Sequence, residues 1–233
     1  MRAFFLFLAL MAACCGSSLA AVPVLLIDVE PMVLPGNPPG YGPDFFAALG
    51  QETGLEFETR VQPAARVLAE LRQGQQLGLL PEVDATLQRI APVLDIDLMI
   101  LPAAGVHAGK IADFSGLRVG RVRGGCVALL QLPEVNVYDV NTPDQGMRML
   151  RAGRLDGFCS NSTVLGWQLK KSALRWRDFP PAVAIGKQNL WLMAGPDVQP
   201  AMLARLRAGV EVMVRKGRIK ALHDKYHMGM DDK

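Results

Sequence analysis

The sequence predicts an α/β protein of two similar lobes, each a mostly parallel sheet flanked by helices, with a ligand cleft between them. Three observations carry this expectation: strand and helix patterns alternate, the alternation restarts partway along the chain, and one stretch of sequence repeats. Leu71-Arg72-Gln73-Gly74-Gln75-Gln76-Leu77-Gly78 returns as Leu150-Arg151-Ala152-Gly153-Arg154-Leu155-Asp156-Gly157. Each copy reads as a helix end, a glycine and the start of a strand. Strands and helices alternating in this way build parallel sheets covered by helices.

The first lobe begins with Val22 to Val29, an apolar and β-branched run that reads as a buried strand. The Pro/Gly-rich stretch Pro31 to Gly42 excludes regular structure. Pro43 then opens a helix with Phe45, Phe46 and Leu49 on one face, ended by Gly54. Leu55 to Val61 alternates like a second strand. Pro63 opens a helix carrying Val67, Leu68 and Leu71 at helical spacing with Gly74 as its cap, and Leu77 to Leu80 is a third strand. The order restarts at Leu117 to Val122, a strand running into Gly124-Gly125, with a helix expected near Cys126. Val135 to Val140 is the next strand. Thr142-Pro143-Asp144-Gln145 is a capping box with proline at the first helical position, and Leu155 to Cys159 is the third strand of this lobe. Val183 to Ile185 and Leu190 to Met193 read as short strands, and Asp197 to Tyr226 as one long helix. The expected division is therefore 21–104 for the first part of lobe one, 105–188 for lobe two, and 189–233 returning to complete lobe one, with a hinge of two crossings.

Composition narrows the function. The 233 residues are 50% hydrophobic and 20% charged with a formal net charge of +3, which excludes a disordered chain and a strongly basic nucleic-acid binder. Sixteen of the first twenty residues are apolar, behind Arg2 and ahead of Ser18-Leu19-Ala20. This describes a secretory signal peptide over 1–20, since a bilayer span needs about twenty apolar residues. Two processing routes are open: cleavage after Ala20, or lipidation of Cys14 in Met11-Ala12-Ala13-Cys14, which resembles a lipoprotein box. The protein is expected in the periplasm, soluble or lipid-tethered. Cleavage after Ala20 leaves Cys126 and Cys159, which either pair in that oxidising compartment or are buried as two small apolar side chains. His223 and His227 are four apart on a helix but lack a third metal ligand, so they read as a solvated face. No nucleophile stands beside an assignable base, and no cofactor is expected.

Ligands of open α/β sheets bind outside the carboxyl ends of the strands. Here those ends are Asp28 to Met32 and Glu82 to Arg89 in lobe one, and Arg123 to Cys126 and Ser160 to Ser162 in lobe two. Several short motifs lie at matching places. Gly40-Tyr41-Gly42-Pro43-Asp44, Thr86-Leu87-Gln88-Arg89, Phe114-Ser115-Gly116-Leu117-Arg118-Val119-Gly120, Gly153-Arg154-Leu155-Asp156-Gly157 and Lys216-Gly217 through Lys225-Tyr226 occur in that order. Together they resemble the bacterial extracellular solute-binding proteins of family 3, the receptors of ABC importers for amino acids and related solutes.

The resemblance implies a two-lobed, periplasmic-binding-protein-like (type II) fold, a small-molecule solute, a membrane permease as partner and a monomeric state. It implies that Arg89 grips the solute's carboxylate, a task suited to a planar guanidinium fork. Where the family often has an aspartate for the ammonium group, this chain has Asn161, so that charge falls to Asp84, Glu82, Asp28 or Glu30. Gly124-Gly125, with Arg121 and Arg123 beside it, reads as a backbone pocket for an anion that includes Cys126, and Arg66 is a further contact. Two other readings share the fold. One is a cyclohexadienyl dehydratase-like enzyme using Glu82, Asp84 or Glu30 as general acid; the other is a sensing partner of a membrane signalling protein.

Overall fold

Val22–Ile27 forms the first strand, β1, and its consecutive buried residues Val24, Leu25 and Leu26 show that both faces of the sheet are covered. The computed structural model describes residues 21–37, 39–81, 85–132 and 134–226. The expected signal segment with Cys14, and Glu82, Asp84 and His227, lie outside the described residues. After β1 come α1 (Tyr41–Thr53), β2 (Phe57–Gln62), α2 (Ala64–Leu71), β3 (Leu77–Pro81) and the long β4 (Gln88–Pro102). Then follow β5 (Arg118–Val122), β6 (Asn136–Val140), α3 (Pro143–Arg151), β7 (Gly157–Asn161), α4 (Ser162–Lys171), β8 (Val183–Ala194), α5 (Pro200–Arg215) and α6 (Arg218–Tyr226). Among these described residues no helix is long and apolar enough to cross a membrane.

The strands hydrogen-bond in the order β2-β1-β3-β8-β4-β7-β5-β6. The parallel trio β2-β1-β3 in one half is matched by β6-β5-β7 in the other, the same internal order twice. This is the duplication that the repeated octapeptide announces. β4 and β8 run antiparallel through both halves, from Gln88 opposite Ala194 to Ile100 opposite Val183. Their middle, Asp95 to Asp97 against Lys187 to Asn189, is mostly solvated and forms the ribbon between the lobes.

Each lobe has a core on both sheet faces. Phe45, Phe46 and Leu49 of α1 pack with Leu206, Val210 and Met213 of α5 over Leu26 and Leu192, while Val67 and Leu71 of α2 cover Leu25, Leu80 and Met193 on the other side. In lobe two, Leu150 of α3 and Leu165 and Leu169 of α4 bury Phe158 and Leu101. The last helix, α6, returns to α1 in lobe one. Asp44 accepts hydrogen bonds from Tyr226 Oη (2.7 Å) and Lys225 Nζ (2.5 Å), and burial together with that carboxylate pushes the Tyr226 phenol up to about 12. The Glu52 carboxyl is held below the usual range by its bond to Lys216 Nζ at 2.8 Å, with Arg218 at 3.1 Å.

Several local expectations are corrected. Residues 88–102, most of which the sequence reading assigns to no element, form one strand, and bulges at Arg89/Ala91 and Pro92/Leu94 let Pro92 sit in the ladder. β8 is continuous where two short strands are expected. The terminal helix is two helices, because Gly217 takes φ +68 between Lys216 and Arg218. Near Cys126 the chain makes only a 3-10 turn, Val127–Gln131, with Cys126 itself at φ 44. Gly54 and Gly153 adopt left-handed φ of +65, but Gly74 does not; its carbonyl instead lies against Gly195.

The repeated segment in lobe two carries an ion pair that sets the strand register. Asp156 accepts from the Arg118 backbone N (2.8 Å), from Nε (2.9 Å) and, on its other oxygen, from Nη2 (2.8 Å). This fork holds the Asp156 carboxyl below its ordinary value. A depressed carboxyl stabilises the fold above the unfolded value near pH 4 and loses that contribution as pH falls through the folded one. Asp156→Asn is therefore expected to flatten the fall of Tm below about pH 4, measured by thermal unfolding from about pH 3 to pH 7. An unchanged acid slope would sink this assignment.

Candidate functional site

Lobe one brings its strand ends to one side. Asp28 follows β1 and is exposed; Arg66 lies in the first turn of α2 and is exposed; neither makes a side-chain hydrogen bond among the described residues. Gln62 ends β2 and donates Nε2 to Glu70 at 3.2 Å, while its Oε1 is buried with no hydrogen-bond partner among the described residues. Arg89 stands near the start of β4, on a strand and not near a helix start. Its guanidinium lies 5.5 Å over the ring of Trp191 on β8, whose negative π face attracts it. Trp191 Nε1 is itself buried without a hydrogen-bond partner there. The neighbouring Gln88 donates Nε2 to the carbonyls of Gly195 (2.9 Å), Pro196 (3.1 Å) and Val198 (3.2 Å), fixing the strand that carries Arg89.

Lobe two is braced more heavily. After β5 the chain turns through Gly124, at φ +82, with Gly125 N donating to Val122 O at 2.8 Å. Arg121 is 8% exposed and spends its charge structurally: Nε binds Asp139 Oδ1 and Nη1 binds the Gly125 carbonyl, both at 2.9 Å. The positive charge expected of Arg121 at this turn is thus neutralised by Asp139. Arg123 remains exposed, with Nε 3.9 Å from Asp139. Cys126 and Cys159, whose pairing the sequence leaves open, are bonded to one another at an S–S distance of 2.13 Å. Two residues past Cys159, Asn161 caps α4 by accepting from Val164 N at 2.8 Å. An amide with its acceptor committed in this way presents its NH2 group, a donor.

The lobes touch beyond the β4–β8 ribbon. Glu30 of lobe one accepts from Lys171 Nζ (2.8 and 3.2 Å) and from Trp167 Nε1 (3.3 Å), both on α4. Ser162 Oγ, at the start of α4, accepts from Asp97 N on the ribbon at 3.3 Å.

This arrangement of two similar lobes on a two-strand antiparallel crossing has many solved counterparts. The GluR0 ligand-binding core from Nostoc punctiforme, in complex with L-glutamate, is 15% identical at a TM-score of 0.74, over 89% of this chain and 100% of that one. A histidine kinase sensor domain with similarity to periplasmic binding proteins is 16% identical at a TM-score of 0.75, over 89% and 96% of the two chains. The ancestral amino acid-binding protein AncCDT-1, a precursor of cyclohexadienyl dehydratase, is 16% identical at a TM-score of 0.73, over 88% and 95%. The chain has the fold of the two-lobed periplasmic binding proteins. No protein-family model matches it, and no curated protein matches it by sequence.

Met32 and Tyr41 belong to the core of lobe one. His223 packs on Tyr41, with Nε2 3.3 Å from its hydroxyl, and burial lowers its pKa. Trp191, Gln88, Trp167 and Lys171 escape a reading of the sequence alone. Gln88 lies inside the Thr86-to-Arg89 motif and so was within reach. α4, which carries Trp167 and Lys171, has an N-cap signal in Asn161-Ser162-Thr163.

Proposed function

We propose that the protein is an exported receptor that closes its two lobes on a small carboxylate-bearing solute, an amino acid or related acid, and delivers it to a membrane permease. The observation that carries this reading is Arg89, seated near the start of β4 with its guanidinium over Trp191. The attraction of the aromatic face holds the guanidinium at this end of β4, where a planar fork suits a carboxylate. The buried Trp191 Nε1 and Gln62 Oε1 give lobe one a donor and an acceptor whose desolvation nothing in the described chain offsets, as expected of groups that complete their bonding to solute or ordered water. Lobe two contributes donors: the Gly124 N–H and the Asn161 amide. The amino-acid-binding character of AncCDT-1 and the glutamate held by the GluR0 core support the solute class.

The test is thermal unfolding of the exported protein against L-amino acids, dicarboxylates, aromatic acids and polyamines. A solute at a hundred times its Kd is expected to raise Tm by about 5–10 °C. Arg89→Ala is expected to weaken binding about a hundredfold and abolish that shift. Recovery of the solute unchanged supports a receptor, and its consumption points to an enzyme on this fold. A shift that survives Arg89→Ala, or no shift with any acid, overturns the carboxylate reading.

A further inference from the structure

We propose that Glu30, Trp167 and Lys171 form a latch whose bonds set how far the two lobes stand apart. Trp167 and Lys171 are one helical turn apart on α4, so their side chains leave the same face and converge on one carboxylate. Glu30 Oε2 receives both Lys171 Nζ at 2.8 Å and the indole N–H at 3.3 Å, while Oε1 receives the same ammonium at 3.2 Å. Lys170 Nζ lies 5.9 Å over the Trp167 ring, so the indole is held on its face as well as at its N–H. The carboxylate comes from the loop after β1 and the donors from the helix after β7. Among the described residues, the bonds of Glu30 in this group all cross between the lobes, and only the contact of Lys170 with Trp167 is internal to one.

An exposed ion pair alone is a weak tie, and Lys171 is 49% exposed against 25% for Glu30. The added indole donor, partly buried, makes the contact directional and less easily replaced by water. What the latch opposes is also small. The lobes are joined by two strands whose middle is mostly solvated, so opening breaks little packed surface there. A modest bond between the lobes outside such a hinge is suited to biasing an open–closed equilibrium. Glu30, expected from the sequence as a partner for the solute's ammonium, is in this account spent on closure. The proposal rests on the two-lobed fold and not on the identity of the solute, so it can fail independently of the receptor reading.

The test measures lobe separation with no solute added. Spin labels are placed through Thr59→Cys on β2 and Arg154→Cys before β7, both exposed, in protein purified after signal removal. Distances are read by double electron–electron resonance. Glu30→Ala is expected to raise the open-to-closed ratio about tenfold, and Lys171→Met about threefold. Salt near 1 M should reproduce the Lys171→Met result in the otherwise native protein. Trp167→Phe, which keeps the ring and removes the N–H, should fall between them. Distance distributions unchanged in all three variants would overturn the latch. A shift in Glu30→Ala that neither Lys171→Met nor salt reproduces would also overturn it, because it would report damage within lobe one.

Discussion

Gly195→Ala is expected to destabilise the protein by at least about 3 kcal/mol, more than almost any exposed change in the chain. A Cβ on Gly195 would lie 2.1 Å from the Gly74 carbonyl oxygen, 2.6 Å from that of Leu71 and 2.9 Å from the Gly74 carbonyl carbon. All three atoms are backbone, so no side chain can rotate away. The two segments are also tied together: Gly195 N donates to Gln76 O at 2.9 Å, and Asp197 N donates to the obstructing Gly74 O at 3.3 Å. Relief would have to push the β8–α5 turn off the end of α2, and with it the three carbonyls that hold Gln88. The same variant is therefore expected to disturb Arg89, one residue along. Gly186→Ala, in the exposed part of β8 with nothing within 4 Å of its Cβ position, is the control and should change stability by no more than about 0.5 kcal/mol. Urea unfolding of both variants decides the matter; equal midpoints would refute the close approach.

Gly195 also illustrates which parts of this fold can be read from letters. The parallel trios announce themselves because buried strands need unbroken apolar runs, as in Val24-Leu25-Leu26, and because helix ends need glycine or a capping side chain, as at Gly54 and Thr142. These are local requirements. The long crossing strands are not local: Pro92 and Asp95 make residues 88–102 look unfit for a sheet, and only the bulges opposite β8 admit them. The site divides the same way. The expected positions Gly124, Gly125 and Asn161 come from strand ends, and Arg89 from the family resemblance. What each does depends on partners remote in sequence: Trp191 for Arg89, Asp139 for Arg121, Lys171 for Glu30. Its place beside the glycine pair makes Arg121 read as added positive charge for an anion, when its bonds to Asp139 and the Gly125 carbonyl make it the brace of a turn.

Loss of the Cys126–Cys159 disulfide is expected to cost about 3–4 kcal/mol, the chain-entropy value for a closed loop of its sequence separation of 33 residues. For a chain of this size that corresponds to a fall in Tm of about 7–15 °C. Cys126→Ala with Cys159→Ala should show it, and a membrane-permeant or small reductant added to the native protein should reproduce it while leaving the double variant unchanged. The consequence reaches the site because of where the bond lies. Cys126 holds a left-handed φ of 44, a conformation unfavourable to any residue with a Cβ, immediately after the glycine pair. Arg121, through the Gly125 carbonyl, and the Gly125-to-Val122 hydrogen bond hold the front of that turn; the disulfide holds its back to β7, two residues before Asn161. With the bond gone, Cys126 is free to relax to negative φ, and the Gly124 N–H loses the direction that suits it to an anion. Solute affinity in the double variant should therefore fall beyond what its lower stability explains, and should do so at temperatures well below its Tm. Affinity that is retained while Tm drops would show that the disulfide serves the fold of lobe two alone and that the turn it backs takes no part in binding.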